Sequence, residues 1–220
     1  IRALLAVLGP EGTLVMATQS GGNSEPSRWV SPPVPEAWWP EIRAEMPPYD
    51  PATTPTRGVG VVAECFRSWP GVRRSRHPAA SMGALGPAAD RIAGSQPLSF
   101  PLGEGSPCAA LYDLDAHVLL LGVRYDRCTS LHLAEYRAGD RPTIGQGAAM
   151  TVDGQRTWVT YRDLDLDSDR FAEPGRLLEA EGRIAMGRVG AAEARLFRVR
   201  DAVDLAVRTW KMDDAEGKAP

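Results

Sequence analysis

The chain has 220 residues, enough for one large domain or two small ones and for a sizeable buried core. Its hydrophobic fraction of 43% is ordinary for a globular protein, and a formal net charge of −3 argues against a broad basic surface for nucleic acid. The 3 cysteines form no CxxC pair, which favours reduced thiols in a cytoplasmic protein over a disulfide framework or a zinc site. The apolar runs are too short to cross a bilayer and no signal peptide is visible, so we expect no membrane partner.

The first predicted elements are a helix over residues 2–8, stopped by Gly9 and Pro10, and a strand over residues 13–18. Because the chain opens inside an apolar helix, we expect that an N-terminal segment has been lost or was never included. A long loop follows over residues 19–57, with a short helix over residues 35–46. Loops of this length are typically lids or binding loops, so this one is expected on the substrate side.

The rest of the chain alternates loosely between helices and strands. In the predicted helix over residues 58–68, the spacing places four side chains on one face: Val59, Val62, Cys65 and Phe66. The unbroken apolar run VLLLGV at residues 118–123 predicts a strand that is covered on both faces. The other predicted helices span residues 87–93, 106–114, 129–137, 176–182 and 201–211, and the other strands span 80–85, 117–123, 158–163 and 194–199. This order predicts a single α/β domain over residues 1–220, with a mixed central sheet flanked by helices.

The first candidate for chemistry is the segment TSLHLAE at residues 129–135. Thr129 or Ser130 suits the N-cap of a helix, which places His132 in the first turn, where the helix dipole helps keep an imidazole neutral, as a general base must be. Glu135 follows one turn later, where it could orient the ring or meet a cationic substrate. From spacing alone, a structural histidine bonded to a nearby carbonyl is the commoner case.

The second candidate is the acidic stretch YRDLDLDSD at residues 161–169. In an extended conformation its aspartates project from one face. An EF-hand is excluded, because neither possible register has the required Gly and Glu. Two interpretations remain open. The stretch is either a solvated strand end, or one of its carboxylates orients a histidine while the neighbouring carboxylates bind ammonium groups.

The third candidate is the basic stretch RRSRHP at residues 73–78, which could bind a phosphate, although most such clusters are solvated turns.

No P-loop, GxGxxG or GxSxG motif is present, and the three histidines are not in zinc spacing. His117, just before the apolar strand, is interpreted as structural.

Five segments, taken in order, resemble the aminoglycoside 3-N-acetyltransferase family. They are GPEGTLVM at residues 9–16, YDPATTPT at 49–56, RSRHPAAS at 74–81, LLLGV at 119–123 and TSLHLAE at 129–135. Each is weak alone, but five in the correct order are specific. The resemblance runs from the first residue to about Lys211.

The resemblance implies a fold distinct from the GNAT acetyltransferases and direct transfer of acetyl from acetyl-CoA to the 3-amino group of a 2-deoxystreptamine ring, with no metal. It implies His132 as general base, supported by Asp163 and Asp165, with Glu135 matching the glutamate of the same signature. Arg74, Ser75, His77 and Ser81 are expected at the cofactor. Asp50 and Glu25, together with Glu135 and Asp165, are expected to face the cationic sugar.

The chain departs from the family pattern in two places. The family's first strand and its serine-rich turn, which contribute to the acetyl-CoA pocket, are not seen here, and Asp163 stands where some members have glutamate. Two alternatives therefore stay open: an acyl-CoA N-acyltransferase that acts on another amine, and a non-catalytic binder of cationic sugars. The expected partners are an aminoglycoside and acetyl-CoA, for a protein acting as a monomer or a homodimer.

Overall fold

The computed structural model describes residues 1–215, with side chains up to Met212. The chain divides into two compact units. The first contains Ile1–Pro101 and Ile144–Asp163, and the second contains Leu102–Thr143 and the chain from Leu164 onward. The interpretation of residues 1–220 as a single functional domain stays a prediction.

The first unit contains short helices and strands joined by long loops. In chain order these are α1 (Arg2–Leu8), β1 (Leu14–Ala17), α2 (Trp39–Glu45), α3 (Val61–Arg67), β2 (Arg73–Arg74), β3 (Met82–Leu85) and α4 (Ala89–Ala93). Gly9 ends α1 with a positive φ of 66°, as the Gly-Pro stop signal predicts. The loop over residues 19–57 contains α2 and two 3-10 turns, Pro26–Arg28 and Glu36–Trp38.

The sheet of the first unit has the order β1-β3-β2, with both pairs antiparallel. Leu14 pairs with Leu85 and Arg74 with Gly83, so the basic stretch begins as an edge strand of this sheet. Phe66 belongs to the buried core of the unit, as do Met82, Ala84 and Ile92. The predicted face of α3 is wrong in part: Phe66 is buried as expected, but Val62 and Cys65 are exposed, and the buried side of this short helix carries Ala63 and Phe66, three residues apart.

A long hairpin, which the sequence analysis found only in part, completes this unit. Its strands are β5 (Thr143–Val152) and β6 (Gln155–Leu164). The turn residues Asp153 and Gly154 have φ values of 49° and 79°, the left-handed conformations that a two-residue Asp-Gly turn requires. Gly147 is needed opposite Trp158, because a Cβ at this position would lie 2.7 Å from the indole ring.

The second unit is built mainly from helices around one small sheet. In chain order its elements are α5 (Pro107–Asp113), β4 (His117–Leu121), α6 (His132–Ala138), α7 (Ala172–Ala180), β7 (Ala185–Val189), β8 (Ala192–Arg198) and α8 (Val199–Ala215). Ser106 caps α5, because its hydroxyl accepts the N–H groups of Cys108 and Ala109. The helix α8 packs against α5, α6 and α7.

The strand β4 is not covered on both faces, as the sequence analysis expected. It is an edge of the antiparallel sheet β4-β8-β7, and Leu120 is buried while Leu119 and Leu121 are 41% and 44% exposed. Leu119 pairs with Leu196, which is also exposed. The reason is the antiparallel pairing, since such a sheet can leave one face open.

The core of the second unit lies under α8. It contains Leu133, Phe171, Leu178, Phe197, Val203 and Ala206, all almost fully buried. Gly175 of α7 lies against the ring of Tyr125, where a Cβ would come within 2.2 Å of a ring carbon. The α/β class predicted from the sequence is confirmed, with the strands in two three-stranded sheets and one hairpin. Within residues 1–215, no helix is long and apolar enough to cross a membrane.

Candidate active site

His132 is the first residue of α6 and directly follows a 3-10 turn, Thr129–Leu131. The predicted cap is wrong: the N-cap residue is Leu131, which has no side-chain hydrogen bond, because the chain reaches α6 through the 3-10 turn. The His132 side chain is 16% exposed, so it is largely enclosed but still reachable.

The imidazole of His132 is paired with the carboxylate of Glu135. Nδ1 of His132 lies 2.6 Å from Oε2 of Glu135, and the glutamate side chain is fully buried. Since an ionised carboxylate only accepts hydrogen bonds, Nδ1 is the protonated nitrogen in this pair. The lone pair of the neutral ring is therefore at Nε2, the nitrogen that can take a proton from a substrate.

The second oxygen of Glu135 is also occupied. Its Oε1 accepts the backbone N–H of Asp167 at 2.8 Å and lies 3.9 Å from Nε of Arg141. A fully buried carboxylate with these partners is suited to orient the imidazole, and a contact between Glu135 and the substrate stays a prediction. The Asp167 backbone donor was missed by the sequence analysis, because a main-chain N–H leaves no residue-type signal.

The two aspartates predicted to support His132 have different surroundings. Asp165 is exposed, its backbone N–H donates to Pro142 and its backbone oxygen accepts from Arg141. Asp163 belongs to the first unit and is 9% exposed, and burial, with a smaller contribution from the charge of Asp163, raises the pKa of Tyr161. Glu135 occupies the position at Nδ1 that the sequence interpretation gave to one of these aspartates.

Arg74, which was expected at the cofactor, is 7% exposed and bonded entirely within the first unit. Its five N–H groups donate over distances of 2.5–3.3 Å to the backbone oxygens of Thr18, Pro51 and Thr54 and to the hydroxyls of Ser20 and Ser81. A phosphate could bind its guanidinium only by displacing these partners. The contacts favour a structural role that ties the loop to β1.

Ser75 and Ser81 are also buried and bonded within the first unit. The hydroxyl of Ser75 donates to Gln96 and accepts the N–H of Met82, while that of Ser81 donates to the backbone oxygen of Thr18. Together with Arg74, these serines form an internal polar network. A cofactor role for them stays a prediction.

His77 is 2% exposed and uses both ring nitrogens inside the first unit. Nδ1 accepts the N–H groups of Ala79 and Ala80, and Nε2 lies 3.1 Å from the backbone oxygen of Leu98, so Nε2 carries the proton. Burial lowers the pKa of His77 from 6.5 to about 4, although the bond to Leu98 opposes this shift. The ring is thus neutral at physiological pH and its contacts favour a structural role, while a role of His77 at the cofactor stays a prediction.

This lowered pKa predicts a loss of stability in acid. The unfolded chain takes up a proton at His77 near pH 6.5 and the folded chain only near pH 4, so the free energy of unfolding falls as pH drops through this window and is unaffected above it. The loss at pH 4.5 relative to pH 7 should be about 2–3 kcal/mol. Urea unfolding of the wild type and His77→Gln at both pH values measures it; an equal pH dependence in the two proteins would contradict the prediction.

Glu25 lines a cavity of about 480 Å³ in the first unit. The cavity is lined by Glu25, Ser27, Arg28, Gly145, Gln146, Thr160, Tyr161 and Arg162. Burial raises the pKa of Glu25, but the hydrogen bonds from Arg43 and from the Ser27 N–H outweigh it and lower the pKa overall. Oε1 of Gln146, which the sequence analysis missed, is buried without a hydrogen-bond partner among the described residues.

Asp50 is exposed and closes a turn of the long loop. Its Oδ1 accepts the N–H of Ala52, and its own N–H donates to the hydroxyl of Thr54. A contact between this carboxylate and a substrate stays a prediction. Among residues 1–212, no group of three or more His, Cys, Asp or Glu side chains is arranged to hold a metal ion.

Comparison with known proteins gives these contacts a family context. Residues 1–211 match the family described as aminoglycoside 3-N-acetyltransferase. The chain belongs to this family. It is 44% identical to the SPbeta prophage-derived aminoglycoside N(3')-acetyltransferase-like protein YokD of Bacillus subtilis (strain 168), over 98% of this chain and 80% of that one. It is 40% identical to aminoglycoside N(3)-acetyltransferase IV of Salmonella sp, over 94% of this chain and 71% of that one.

Solved structures of other family members have the same fold. The crystal structure of Bacillus subtilis YokD matches with a TM-score of 0.94, 44% identity and coverage of 98% of this chain and 80% of that one. A histidine-to-alanine variant of AAC(3)-IVa in complex with a gentamicin matches with a TM-score of 0.80, 37% identity and coverage of 97% and 74%. AAC-IIIb with CoASH matches with a TM-score of 0.83, 30% identity and coverage of 97% and 81%.

The family, the α/β class and the enzyme class predicted from the sequence are confirmed by these matches. The chain is therefore a transferase of this family. The expectation of acetyl-CoA as co-substrate is supported by the family and by the CoASH complex of AAC-IIIb.

Proposed function

We propose that this chain transfers an acetyl group from acetyl-CoA to the 3-amino group of the 2-deoxystreptamine ring of aminoglycosides, with His132 as general base. The observation that carries the proposal is the 2.6 Å contact between Nδ1 of His132 and the buried carboxylate of Glu135. This contact selects the tautomer with the lone pair at Nε2 and stabilises the imidazolium once a proton has been taken.

The proton balance follows from this tautomer. A protonated amine has no lone pair with which to attack a carbonyl, so the substrate first releases one proton to solvent, and Nε2 of His132 then removes a second proton as the neutral amine nitrogen forms its bond to the thioester carbonyl carbon. The C–S bond then breaks, and the imidazolium returns the proton to the leaving CoA thiolate. The products are an amide on the sugar and free coenzyme A, and His132 is again neutral.

Polar groups suited to a cationic sugar occur in each unit taken by itself. Asp165 and Asp50 are exposed carboxylates suited to ammonium groups, which they attract over about a Debye length, less in high salt. The cavity that Glu25 lines also carries Ser27 and Thr160, whose hydroxyls suit the hydroxyl or N–H groups of a sugar ring. Arg28 and Arg162 add positive charge there, so the cavity suits the hydroxyl-bearing edge of a sugar better than another ammonium group.

The chemistry explains why such a reaction would confer antibiotic resistance. Acetylation converts an ammonium group into a neutral amide, which removes one positive charge and its charge-assisted hydrogen bonds from the drug. The two alternatives remain outcomes of the test below: an N-acyltransferase for another amine, and a binder of cationic sugars without catalysis. The first is kept because the Bacillus subtilis relative is described only as acetyltransferase-like.

Release of coenzyme A from acetyl-CoA, measured with a panel of amines, tests the proposal. The panel should contain gentamicin, other 2-deoxystreptamine aminoglycosides, the same drugs without the 3-amino group, and unrelated diamines. We expect release only with drugs that carry the 3-amino group. Faster release with an unrelated amine would favour another acyltransferase, and saturable drug binding without release would favour a binder.

A further inference from the structure

The imidazole of His132 is contacted by an aromatic ring as well as by Glu135. Phe171 meets it edge-to-face, with ring centroids 4.9 Å apart and an angle of 67° between the planes. Phe171 is fully buried and is the last residue of a 3-10 helix, Ser168–Phe171. The sequence analysis missed this contact, because a lone phenylalanine after an acidic stretch gives no signal of its partner.

Phe171 is also contacted by α8. Trp210 of this helix stacks on it, with centroids 6.3 Å apart and planes within 24°. The guanidinium of Arg170 lies 4.3 Å from the centroid of Trp210 and pairs with Asp140. The packing of Trp210 on Phe171, together with the guanidinium of Arg170 beside Trp210, therefore holds the ring that contacts His132 in one orientation.

The same short segment also holds Glu135. We call residues 167–171 the clamp segment. At its start, the Asp167 N–H donates to Oε1 of Glu135, and Oδ1 of Asp167 accepts the N–H of Asp169, which caps the 3-10 helix. The clamp segment thus contacts both members of the His132–Glu135 pair, one through the backbone and the other through Phe171.

We propose that Phe171 is a positioning residue that fixes the plane of the His132 ring. The inference rests on the proposed role of His132 as general base. One hydrogen bond at Nδ1 selects the tautomer but still allows the ring to pivot about this bond. The side-chain angle χ2 of histidine adds to this freedom, because its distribution is intrinsically broad. The Phe171 ring removes this freedom, so Nε2 keeps the single direction in which it can take the proton of a bound amine.

Replacement of the phenyl ring should lower turnover more than substrate binding. Phe171→Leu should reduce kcat for coenzyme A release about 10–100-fold, with KM for both substrates within about threefold of wild type. Phe197→Leu is the matched control, since Phe197 is another buried phenylalanine of the second unit and packs on Tyr125. The control should lower Tm to a similar extent and leave kcat per folded molecule unchanged. If Phe171→Leu does not fold, Phe171→Met, whose flexible unbranched side chain fills irregular space at about the same volume, serves in its place.

The ring itself can be observed without any turnover. The chain has 3 histidines, so 15N-histidine labelling gives a simple imidazole spectrum. In the wild type, we expect one His132 tautomer with a slowly exchanging Nδ1–H. In the Phe171 variants this proton should exchange with water at least about tenfold faster, because the freed ring breaks its bond to Glu135 more often. In Phe197→Leu it should not change.

These measurements separate the inference from the function on which it rests. If the wild-type chain acetylates no aminoglycoside, the proposed function fails, while the imidazole spectra still decide whether Phe171 fixes the ring. Unchanged Nδ1–H exchange in both Phe171 variants would overturn the inference, whatever happens to Tm. So would a kcat within about twofold of wild type in a folded Phe171 variant.

Discussion

His132→Ala should lower kcat for acetylation of aminoglycosides by about 10²–10⁴-fold, the usual contribution of a positioned general base. The side chain is only 16% exposed and its Nδ1 is bonded to Glu135, so Nε2 is the nitrogen whose loss removes proton transfer. Steady-state release of coenzyme A measures the effect. Drug affinity, measured by calorimetry, should change little, because the base acts on the transition state rather than on the bound ground state.

His117→Ala is the matched control for this variant. His117 is an exposed histidine on β4 of the same unit, and the sequence analysis already interpreted it as structural. We expect its kcat to equal that of wild type. A His132→Ala protein with wild-type Tm and near-normal turnover would show that another group takes the proton.

Glu135→Gln should have the second large effect, again about 10²–10⁴-fold on kcat. The amide keeps the shape of the carboxylate, but its NH2 group can donate to Nδ1 of His132, which then holds the wrong tautomer with the lone pair at Nδ1. Glu135→Ala should in addition lower the free energy of unfolding by about 1–3 kcal/mol, because the partly buried Asp167 N–H loses its acceptor. Turnover and urea unfolding measure the two effects separately.

Glu179→Gln is the control for a carboxylate in the same unit without contact to His132. Glu179 accepts hydrogen bonds from Tyr125 and Arg195, so its replacement should affect stability and leave kcat unchanged. If Glu135→Gln retained kcat within tenfold of wild type, the tautomer argument would be wrong.

Local sequence signals predicted much of the fold. The Gly-Pro stop placed the end of α1 correctly, and Ser106 marked the start of α5. The strands β5 and β7 were missed, although Asp153 and Gly154 form a standard hairpin turn that an alternating pattern search can find. The prediction that both faces of β4 are buried was wrong, because an apolar run alone does not distinguish a strand with two packed faces from an edge strand with one open face.

The sequence indicated which residue types to consider for the candidate site better than it indicated which groups contact them. His132 and Glu135 are three residues apart, so helical spacing alone brought them together. The other partner of Glu135 is the backbone of Asp167, 32 residues later, and local periodicity carries no information about such a contact. The same reason explains Arg74: its basic cluster suggested phosphate, but its five N–H groups meet loop oxygens that only the folded chain brings to it.

The central claim is that one acetyl group moves from acetyl-CoA to the 3-amino nitrogen with His132 as base. NMR of the product formed from acetyl-CoA labelled with 13C in its acetyl group tests this most directly. We predict one new amide whose 13C carbonyl couples to the proton on carbon 3 of 2-deoxystreptamine, formed by the wild type and by His117→Ala but only in trace amounts by His132→Ala. An amide at another amino group, free labelled acetate as the main product, or equal product from His132→Ala would contradict it.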